Sequence, residues 1–484
     1  MTVFAFVADD FTGATDALWQ FRRFGLSGSL VTDVAHLHDR DDVIGIATTA
    51  RASADPVASA LPALKAVAAL RPLVVQYKIC STFDSSPDHG SIGAVVAALH
   101  GEGLAGRAVP VLAAQPEFGR HTWYANHFVR AGDEFVRLDR HPPARDHPVT
   151  PAAEADLRVR LMVQGAGPTG WLPAEASWPA YEARRGEAAF VADATTDDHL
   201  LALGRHLLTD ATTGGTLYCV GSGGLSYALA SAYALAVPST AHSPTAQPDT
   251  TARQATISPP GSPPGSPPGS PAGALPGALG VSPAGALPGA SRGASGVSPA
   301  GALPGALPGV LAGADGRGAV PLGPAGPVLV VSGSRSPVTA RQIDTAERAG
   351  WRVLDVSEGT DAIAGAEASL RDGRHTIVQS TRGPARDPAG IGELLGRVAA
   401  AAVRAGLVRR LVVAGGDTSG QVVAALGAYA LDVVASLAVG GPVCVLSSDD
   451  PACDGLELAL KGGQVGGPDY FLTAATGTTT RLPS

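Results

Sequence analysis

The sequence predicts an α/β protein in which two doubly wound, mostly parallel-sheet domains are joined by a long disordered linker. Short apolar runs alternate with helical patterns in both halves of the chain, as in βαβ units. The length of 484 residues exceeds the usual size of a single hydrophobic core. A stretch rich in Pro, Gly, Ala and Ser separates the two halves. We therefore predict one domain at residues 1–237, a linker at 238–326 and a second domain at 327–484.

The N-terminal half contains apolar runs of the length and composition of buried parallel strands. These runs are Val3–Val7, Val43–Ala47, Leu73–Tyr77, Ala108–Ala113 and Thr216–Val220. Between the first two runs, residues 14–24 have helical spacing, and Gly25 stands where a C-terminal cap is expected. The first polar motif of the chain therefore lies at a strand-to-helix turn.

The predicted linker includes GSPPGSPPGSP and two copies of GVSPAGALPGA, which begin at Gly280 and Gly296. It has almost no aromatic or charged residues, and its prolines forbid long helices and central strands. The entropy of ordering such a segment should exceed any gain from packing, so we expect disorder. Glycine does not recur at every third position, which excludes a collagen helix.

The C-terminal half repeats the alternation of strands and helices. The predicted strands are Val328–Val331, Thr376–Gln379, Leu411–Val413 and Val443–Leu446. Ser336 and Pro337 are the residues expected to begin a helix, as N-cap and first-turn proline, and Gly350 is expected to end it. In open sheets of this kind, ligands bind beyond the carboxyl ends of the strands.

Composition favours a small-molecule ligand over a macromolecular partner. A net charge of −8 and a pI of about 5.8 argue against a nucleic acid or an anionic membrane surface. No apolar stretch is long enough to span a bilayer, and two aspartates interrupt the N-terminal apolar run too early for a signal peptide. The four cysteines form no C-x-x-C pair. We therefore predict a cytoplasmic protein with reduced thiols.

The first motif, VADDFTGATD, places Asp9 and Asp10 after a strand and at the start of a helix. Paired carboxylates there could hold Mg²⁺ or accept a hydroxyl proton during phosphoryl transfer. The alternative is that one aspartate only caps the helix.

The second motif, YKICSTFDSSPDHGSIG, follows another strand. Its polar side chains suit a polyhydroxylated acid: the ammonium group of Lys78 for a carboxylate or phosphate, and Ser81, Thr82, Asp84 and Ser85 for hydroxyl groups. Arg51 is a second candidate for the carboxylate of the substrate. An ordinary polar turn is the alternative. Lysine occurs only at positions 65, 78 and 461, which makes each a candidate for a site that needs a compact ammonium group.

Three motifs of the C-terminal half suit phosphate groups, because small residues let backbone amides approach closely. They are VSGSRSPVTARQ, VVAGGDTSGQV and LALKGGQVGGPDYF, and none is a Walker P-loop. In the second of them, glycines, hydroxyls and a carboxylate together could cradle phosphates and hold a metal ion. Plain strand-to-helix turns, or a surface hairpin for the third motif, are the alternatives.

Together these segments resemble the four-carbon acid sugar kinase family. The residues at 8–16, 77–87 and 147–158 resemble its N-terminal signatures, and those at 332–342, 414–422 and 459–471 its C-terminal ones, in the same order. CSTFDSSP resembles the branch that acts on 3-oxo-tetronate rather than on threonate or erythronate. Asp417 stands where Glu is common in the family, and Gly-Gly-Gln at 462–464 replaces a Ser-Gly-Asn pattern.

The resemblance implies an N-terminal sugar-acid-binding domain, a C-terminal nucleotide-binding domain, and phosphorylation of the 4-hydroxyl of a four-carbon sugar acid by ATP with Mg²⁺. It implies nucleotide contacts at Ser334, Ser336, Gly415, Gly416, Asp417, Thr418, Gly462 and Gly463, with Asp417 as the candidate metal ligand. It leaves a homodimer open.

The mechanism that follows has Asp10 or Asp84 as the base and Asp9, Arg51, Lys78, Ser81 and Thr82 as substrate contacts. Two rivals are a nicotinamide-dependent dehydrogenase and a sugar-acid-binding protein without turnover. The first lacks a G-x-G-x-x-G sequence after the first strand.

Overall fold

The computed structural model describes residues 1–237, 322–356, 361–382 and 388–477. Most of the predicted linker, including its predicted disorder, lies outside the described residues. At the end of that predicted segment, Ala325 is buried and its N–H donates to the carbonyl of Ala475.

Strands and helices alternate along both halves, which confirms the α/β prediction. The strands are β1 Phe4–Ala8, β2 Gly28–Val31, β3 Val43–Ala47, β4 Val74–Lys78, β5 Val109–Leu112, β6 Arg120–Trp123, β7 Asn126–Ala131, β8 Glu134–Arg137, β9 Thr169–Leu172, β10 Ala189–Ala192, β11 Leu217–Gly221, β12 Val328–Ser332, β13 Arg352–Asp355, β14 Thr376–Gln379, β15 Arg410–Ala414, β16 Ala428–Ala438, β17 Gly441–Ser448 and β18 Glu457–Lys461. Every strand predicted from an apolar run is present, with each end within two residues of its predicted position.

The helices cover the faces of the sheet. They are α1 Phe11–Arg22, α2 Pro56–Ala68, α3 Ile92–Gly101, α4 Pro142–Arg145, α5 Leu157–Val163, α6 Trp178–Glu182, α7 Asp197–Gly214, α8 Gly223–Ala236, α9 Pro337–Arg348, α10 Ala362–Arg371, α11 Pro388–Arg404, α12 Gly416–Ala425 and α13 Tyr470–Thr476, with short 3-10 helices at Val34–His36, Ala50–Ala52, Pro116–Phe118 and Leu138–Arg140. Capping follows the sequence: the Asp10 side chain accepts from the N–H of Gly13 to start α1, and Ser336 accepts from the N–H of Val338 to start α9.

Two parallel blocks make up one 15-stranded sheet. The N-terminal block has the order β2-β3-β1-β4-β11-β5-β10-β9, and the C-terminal block has the order β13-β14-β12-β15-β18. The long antiparallel strands β17 and β16 extend the C-terminal block and pair with β2 through Ala430↔Val31 and Leu431↔Leu30. The two predicted sheets are therefore continuous, through a junction of two residue pairs.

Strands β6, β7 and β8 form a separate antiparallel sheet beside the N-terminal block. On one face of this small sheet, Thr122 lies opposite His127 and Arg120 lies opposite Val129. Because side chains alternate between the faces of a strand, Arg120 and Thr122 share that face. His127 and Val129 are fully buried, so this face packs against the N-terminal block.

Candidate functional site

The two aspartates of the first motif form a buried ion-pair cluster with Arg51. Both directly follow β1, and Arg51 lies in the 3-10 helix after the neighbouring strand β3. The guanidinium of Arg51 contacts Asp9 at 2.6 and 3.1 Å and Asp10 at 2.8 Å through both carboxylate oxygens. The predicted proximity of these three residues is therefore present, but the N–H groups of Arg51 are directed to Asp9 and Asp10.

Asp10 is the carboxylate of this pair that the surroundings keep ionised. Burial by itself would raise its pKa, but the charges of Arg51 and Lys78, together with hydrogen bonds from Thr12 and Gly13, bring the pKa below its usual value. The Thr12 hydroxyl donates at 2.5 Å and the Gly13 N–H at 2.8 Å. For Asp9, burial dominates and raises the pKa. Asp10 thus caps α1 and also carries a charge in the site.

Lys78 ends β4 beside this cluster. Its ammonium group is 2% exposed and donates to the carbonyl of Ile79 at 2.9 Å. A Cβ atom placed on Gly13 would meet an Asp10 oxygen, lie 3.0 Å from Lys78 Nζ and lie 3.6 Å from Arg51 Nη2. The two cations that the sequence offered for the substrate carboxylate therefore converge on Asp10.

The Cys80–Ser85 loop, defined by residues 80–85, follows Lys78. Within it the Thr82 hydroxyl donates to Asp84 at 2.8 Å, and the Cys80 thiol lies 2.9 Å from the same hydroxyl. Phe83 is fully buried with a φ of +55°, a conformation that is rare for a bulky residue. No hydrogen bond joins Asp84 to Asp9, Asp10 or Arg51 among the described residues.

Residues outside the predicted set hold this loop. His127 Nε2 donates to the carbonyl of Ser81 at 2.7 Å, and the Thr122 hydroxyl lies 3.0 Å from His127 Nδ1. Burial lowers the pKa of His127 to about 3. Arg160 donates to the carbonyls of Phe83 at 3.0 Å and Ser85 at 2.8 Å. Because these contacts span more than 40 residues of sequence, no local pattern predicted them.

The predicted nucleotide loops of the C-terminal half come together at the carboxyl ends of β12, β15 and β18. Gly415 has a φ of +122°, which side-chain-bearing residues rarely adopt, and a Cβ there would lie 3.3 Å from both the Ser334 N–H nitrogen and Thr418 Oγ1. A Cβ on Gly333 would collide with Thr418 Oγ1. Backbone and hydroxyl groups therefore line a cradle that only glycines permit.

The third loop completes this cradle. A Cβ on Gly463 would lie 2.8 Å from Ser334 Oγ and 3.0 Å from Ser336 Cβ, and the carbonyl of Gly463 accepts from Thr339. Gly462 follows Lys461 in the same turn, where a Cβ would make only an ordinary contact with Val465. The predicted nucleotide residues of the three motifs are thus neighbours, and Thr339 is an addition to them.

Lys461 lies beneath these loops as the last residue of β18. Its side chain is fully buried, and its ammonium donates to Thr339 Oγ1 at 3.1 Å. Burial lowers its pKa to about 7. No carboxylate lies within 4.0 Å of its Nζ in the described part of the chain. An anion in the cradle would restore its charge.

The two halves meet at Asp10. A Cβ on Gly416, the first residue of α12, would lie 3.0 Å from Asp10 Oδ2, and one on Gly420 would lie 3.3 Å from the Phe11 ring. The helix starts that follow β1 and β15 therefore face each other. The carboxylate of the first motif borders the glycine loop of the fourth, so the site contains both an ionised acid and a cradle of backbone and hydroxyl groups.

The cradle fits a nucleotide phosphate, since its amides and hydroxyls are the groups that bind phosphates in other proteins. The fit to Mg²⁺ depends on one carboxylate: Asp417 is exposed in the first turn of α12. No group of three His, Cys, Asp or Glu side chains suited to a metal occurs among the described residues. Mg²⁺ commonly uses one or two carboxylates together with phosphate oxygens and water, so Asp417 alone is compatible with it.

Among the described helices, none has both the length and the hydropathy to cross a membrane.

Comparisons with known proteins agree with this division of the site. Residues 4–229 match the family described as "Sugar-binding N-terminal domain", and residues 329–471 match the "Nucleotide-binding C-terminal domain". The 3-oxo-isoapionate kinase of Paraburkholderia graminis is 30% identical over 96% of this chain and 93% of its own length. The 3-oxo-tetronate kinase of Pseudomonas fluorescens is 28% identical over 97% of this chain and 95% of its own.

A solved structure from Salmonella typhimurium LT2 shares the fold, with a TM-score of 0.66 and 21% identity over 98% of this chain and 99% of that chain. The family matches, the full-length kinase relatives and the paired sugar and nucleotide loops lead to one conclusion: the chain is a phosphotransferase that belongs to the four-carbon acid sugar kinase family.

Proposed function

We propose that the protein transfers the γ-phosphoryl group of ATP to the 4-hydroxyl of 3-oxo-tetronate, giving the 4-phosphate. The observation that carries this proposal is the position of Asp10 against Gly416, which brings a buried carboxylate of the sugar-binding half to the phosphate cradle of the other half. Relatives named 3-oxo-tetronate kinase support the choice of acid.

In this proposal Asp10 accepts the proton of the attacking hydroxyl. Its lowered pKa keeps it ionised at neutral pH, and the hydrogen bond from Thr12 together with the ion pair to Arg51 fixes its orientation. Asp9 and Arg51 hold Asp10 in place. Asp84 remains the alternative base, because it lies in the loop that carries the hydroxyl groups and accepts a hydrogen bond from Thr82.

The loop after Lys78 binds the hydroxyl groups of the acid through Ser81 and Thr82, and Lys78 contributes positive charge next to Asp10. The backbone and hydroxyl groups of Ser334, Ser336, Gly415, Gly416, Thr418, Gly462 and Gly463 bind the nucleotide. Asp417 is the carboxylate that would hold Mg²⁺, which neutralises phosphate charge when bound. Alignment of acceptor and donor, rather than covalent catalysis, then supplies most of the rate.

The domain boundaries at 237 and 327 belong to the same proposal. A cleft between a sugar-binding and a nucleotide-binding part lets closure exclude water from the transfer. A cytoplasmic location and a homodimer stay predictions.

A second candidate acid is 3-oxo-isoapionate, because a kinase named for this acid is 30% identical to the protein over 96% of the chain. Threonate and erythronate are further alternatives, as is binding without turnover.

The test is ADP formation with ATP and Mg²⁺ against a panel of 3-oxo-tetronate, 3-oxo-isoapionate, threonate and erythronate. Strong turnover with 3-oxo-tetronate supports the proposal, and a preference for another member replaces the substrate while keeping the reaction. Tight acid binding by calorimetry without ADP formation would overturn it in favour of a binding protein. Omission of the acid is the matched control, since ADP formed without an acceptor measures contaminating ATPase.

A further inference from the structure

The carboxylate of the sugar acid needs a cation that is not already paired. The acid carries its carboxylate at C1 and its reacting hydroxyl at C4, at opposite ends of the molecule. Arg51 contacts both oxygens of Asp10, and Lys78 lies in the same cluster. If Asp10 receives the proton of the 4-hydroxyl, both cations are at the end of the substrate that has no carboxylate.

Arg120 is a cation at the other side of the Cys80–Ser85 loop. It begins β6 and lies on the same face of that strand as Thr122. Thr122 contacts His127, and His127 donates to the carbonyl of Ser81 in the loop. The side chain of Arg120 therefore projects from the small sheet on the face that holds this loop. The electrostatic influence of Cys80 and Asp84 reaches Arg120, and that of Cys80 reaches Arg51 as well, so both arginines lie near the Cys80 thiol.

The guanidinium of Arg120 has N–H donors that make no hydrogen bond within the described part of the chain. Its only side-chain hydrogen bond among the described residues runs from Nη1 to the carbonyl of Phe118 at 2.9 Å. Its buried Nε atom has no partner, and no carboxylate lies within 4.0 Å of it in the described part of the chain. A half-buried arginine without an anion loses hydration and gains no ion pair. Burial accordingly lowers the pKa of Arg120.

Arg160 holds the loop from the other side. Its side chain is 8% exposed, its Cζ lies 5.3 Å from the centre of the Phe83 ring, and its Nη2 donates to the carbonyls of Phe83 and Ser85. These contacts fix the unusual backbone of Phe83, whose left-handed φ needs support from its surroundings. Arg160 thus fixes the loop through its Nη2, although its buried Nη1 has no hydrogen-bond partner among the described residues, whereas Arg120 makes no hydrogen bond to the loop.

We propose that Arg120 binds the C1 carboxylate of the sugar acid through its guanidinium fork, and that Arg160 is a positioning residue that holds the Cys80–Ser85 loop beneath the substrate. This inference rests on the proposed function and deepens it. The acid then extends from Arg120, past Ser81 and Thr82, to Asp10. Arg51 becomes a residue that orients the base.

The first experiment compares Arg120→Gln with Arg130→Gln, an exposed arginine on the same small sheet. Two acceptors are used: the acid that wild type turns over, and the neutral four-carbon ketose in which a CH₂OH group replaces the carboxylate. For Arg120→Gln we expect KM for the acid to rise about 30- to 100-fold, with KM for ATP within about threefold of wild type. The preference for acid over ketose should fall by the same factor, and Arg130→Gln should match wild type.

Arg120→Lys should recover part of the affinity for the acid, since it keeps the charge and loses the fork. This variant also serves as the test if Arg120→Gln has a melting curve unlike that of wild type. An unchanged preference for acid over ketose in both variants would overturn the role of Arg120, whatever happens to the absolute rates.

Arg160→Met should act differently, because it disturbs the loop rather than the charge. We expect it to raise KM for the acid and KM for the ketose by similar factors. If Arg160→Met raised KM only for the acid, Arg160 rather than Arg120 would be the residue that binds the carboxylate. If wild type phosphorylates no acid of the panel, the proposed function fails on its own. The role of Arg120 can then still be tested by calorimetric binding of 3-oxo-tetronate to wild type and to Arg120→Gln. Equal affinity of the two proteins would refute that role.

Discussion

The two halves of the protein use the same strand geometry around opposite chemistry. Lys78 ends β4 beside Ala8 of β1, and Lys461 ends β18 beside Ala414 of β15; both lysines are buried. Two aspartates follow β1, whereas two glycines follow β15 at Gly415. Asp9 and Asp10 therefore neutralise the cations beside them, Arg51 and Lys78, whereas Lys461 has no carboxylate within 4.0 Å among the described residues.

This difference explains which half needs which ligand. A cluster whose positive and negative charges already compensate each other can orient a hydroxyl group and accept its proton without binding anions strongly. A buried lysine next to glycine-lined amides is stabilised when an anion arrives. Each of the following substitutions changes one side of the comparison.

The largest effect is expected from Asp10→Asn. Asparagine keeps the cap of α1 but removes the charge that accepts the proton and pairs with Arg51, so we expect kcat to fall about 10²- to 10⁴-fold and the folded protein to lose stability. Steady-state kinetics with thermal melting measures both. Asp84→Asn is the comparison, with a much smaller loss expected. A larger loss in Asp84→Asn would transfer the role of base to Asp84.

A smaller effect is expected from Gly333→Ala in the cradle. The added methyl group would collide with Thr418 Oγ1, so the loops must move apart and ATP affinity should fall about 10- to 100-fold. Gly326→Ala is the control, because a Cβ there meets nothing within 4 Å. Nucleotide binding measured by calorimetry tests the pair. Equal affinity of both variants would contradict the cradle.

Lys461→Met should weaken nucleotide binding about tenfold while making the free protein more stable, by roughly 1–3 kcal/mol at neutral pH, since a buried amine that has a hydrogen bond to Thr339 but no carboxylate partner is removed. The control is Lys65→Met. Lys65 is exposed and pairs with Glu102 at 2.7 Å, so its loss should change neither property. A loss of stability in Lys461→Met would show that this lysine has a partner that compensates its burial.

The last expected effect is a pH dependence of stability. The folded pKa of Lys461, about 7, is below its ordinary value of 10.5, so the unfolded chain binds more protons between these values. The contribution of this residue to the free energy of unfolding should therefore rise with pH from about 7 to about 10, by up to about 1.4 kcal/mol per unit. Denaturant titrations of wild type and Lys461→Met at several pH values test this. Parallel curves would contradict the lowered pKa.

Much of the fold and part of the site followed from local sequence. Apolar runs predicted the central strands because strands buried on both faces have no polar alternation. Several strands were not predicted, among them the short β2 and the edge strand β13, and also the interior strands β16 and β18. The Asp9–Asp10 pair and the glycine loops were found because their chemistry is concentrated in a few consecutive residues. Thr339 and Arg160 act through contacts distant in sequence, which no local pattern reports.

The sequence by itself determined the α/β class, the strand-to-helix turns and the kinds of chemical groups that follow each strand, because these depend on periodicity, capping and composition over short stretches. The tertiary structure alone decided that Arg51 pairs with both aspartates, that Asp10 faces Gly416 and that Lys461 is buried without an acid. The two parallel blocks run in opposite directions, joined by antiparallel β16 and β17. The carboxyl ends of β1 and β15 can nevertheless face each other, because a twist of about 20–25° per strand pair accumulates across the junction. This twist is a property of the assembled sheet and not of any single segment.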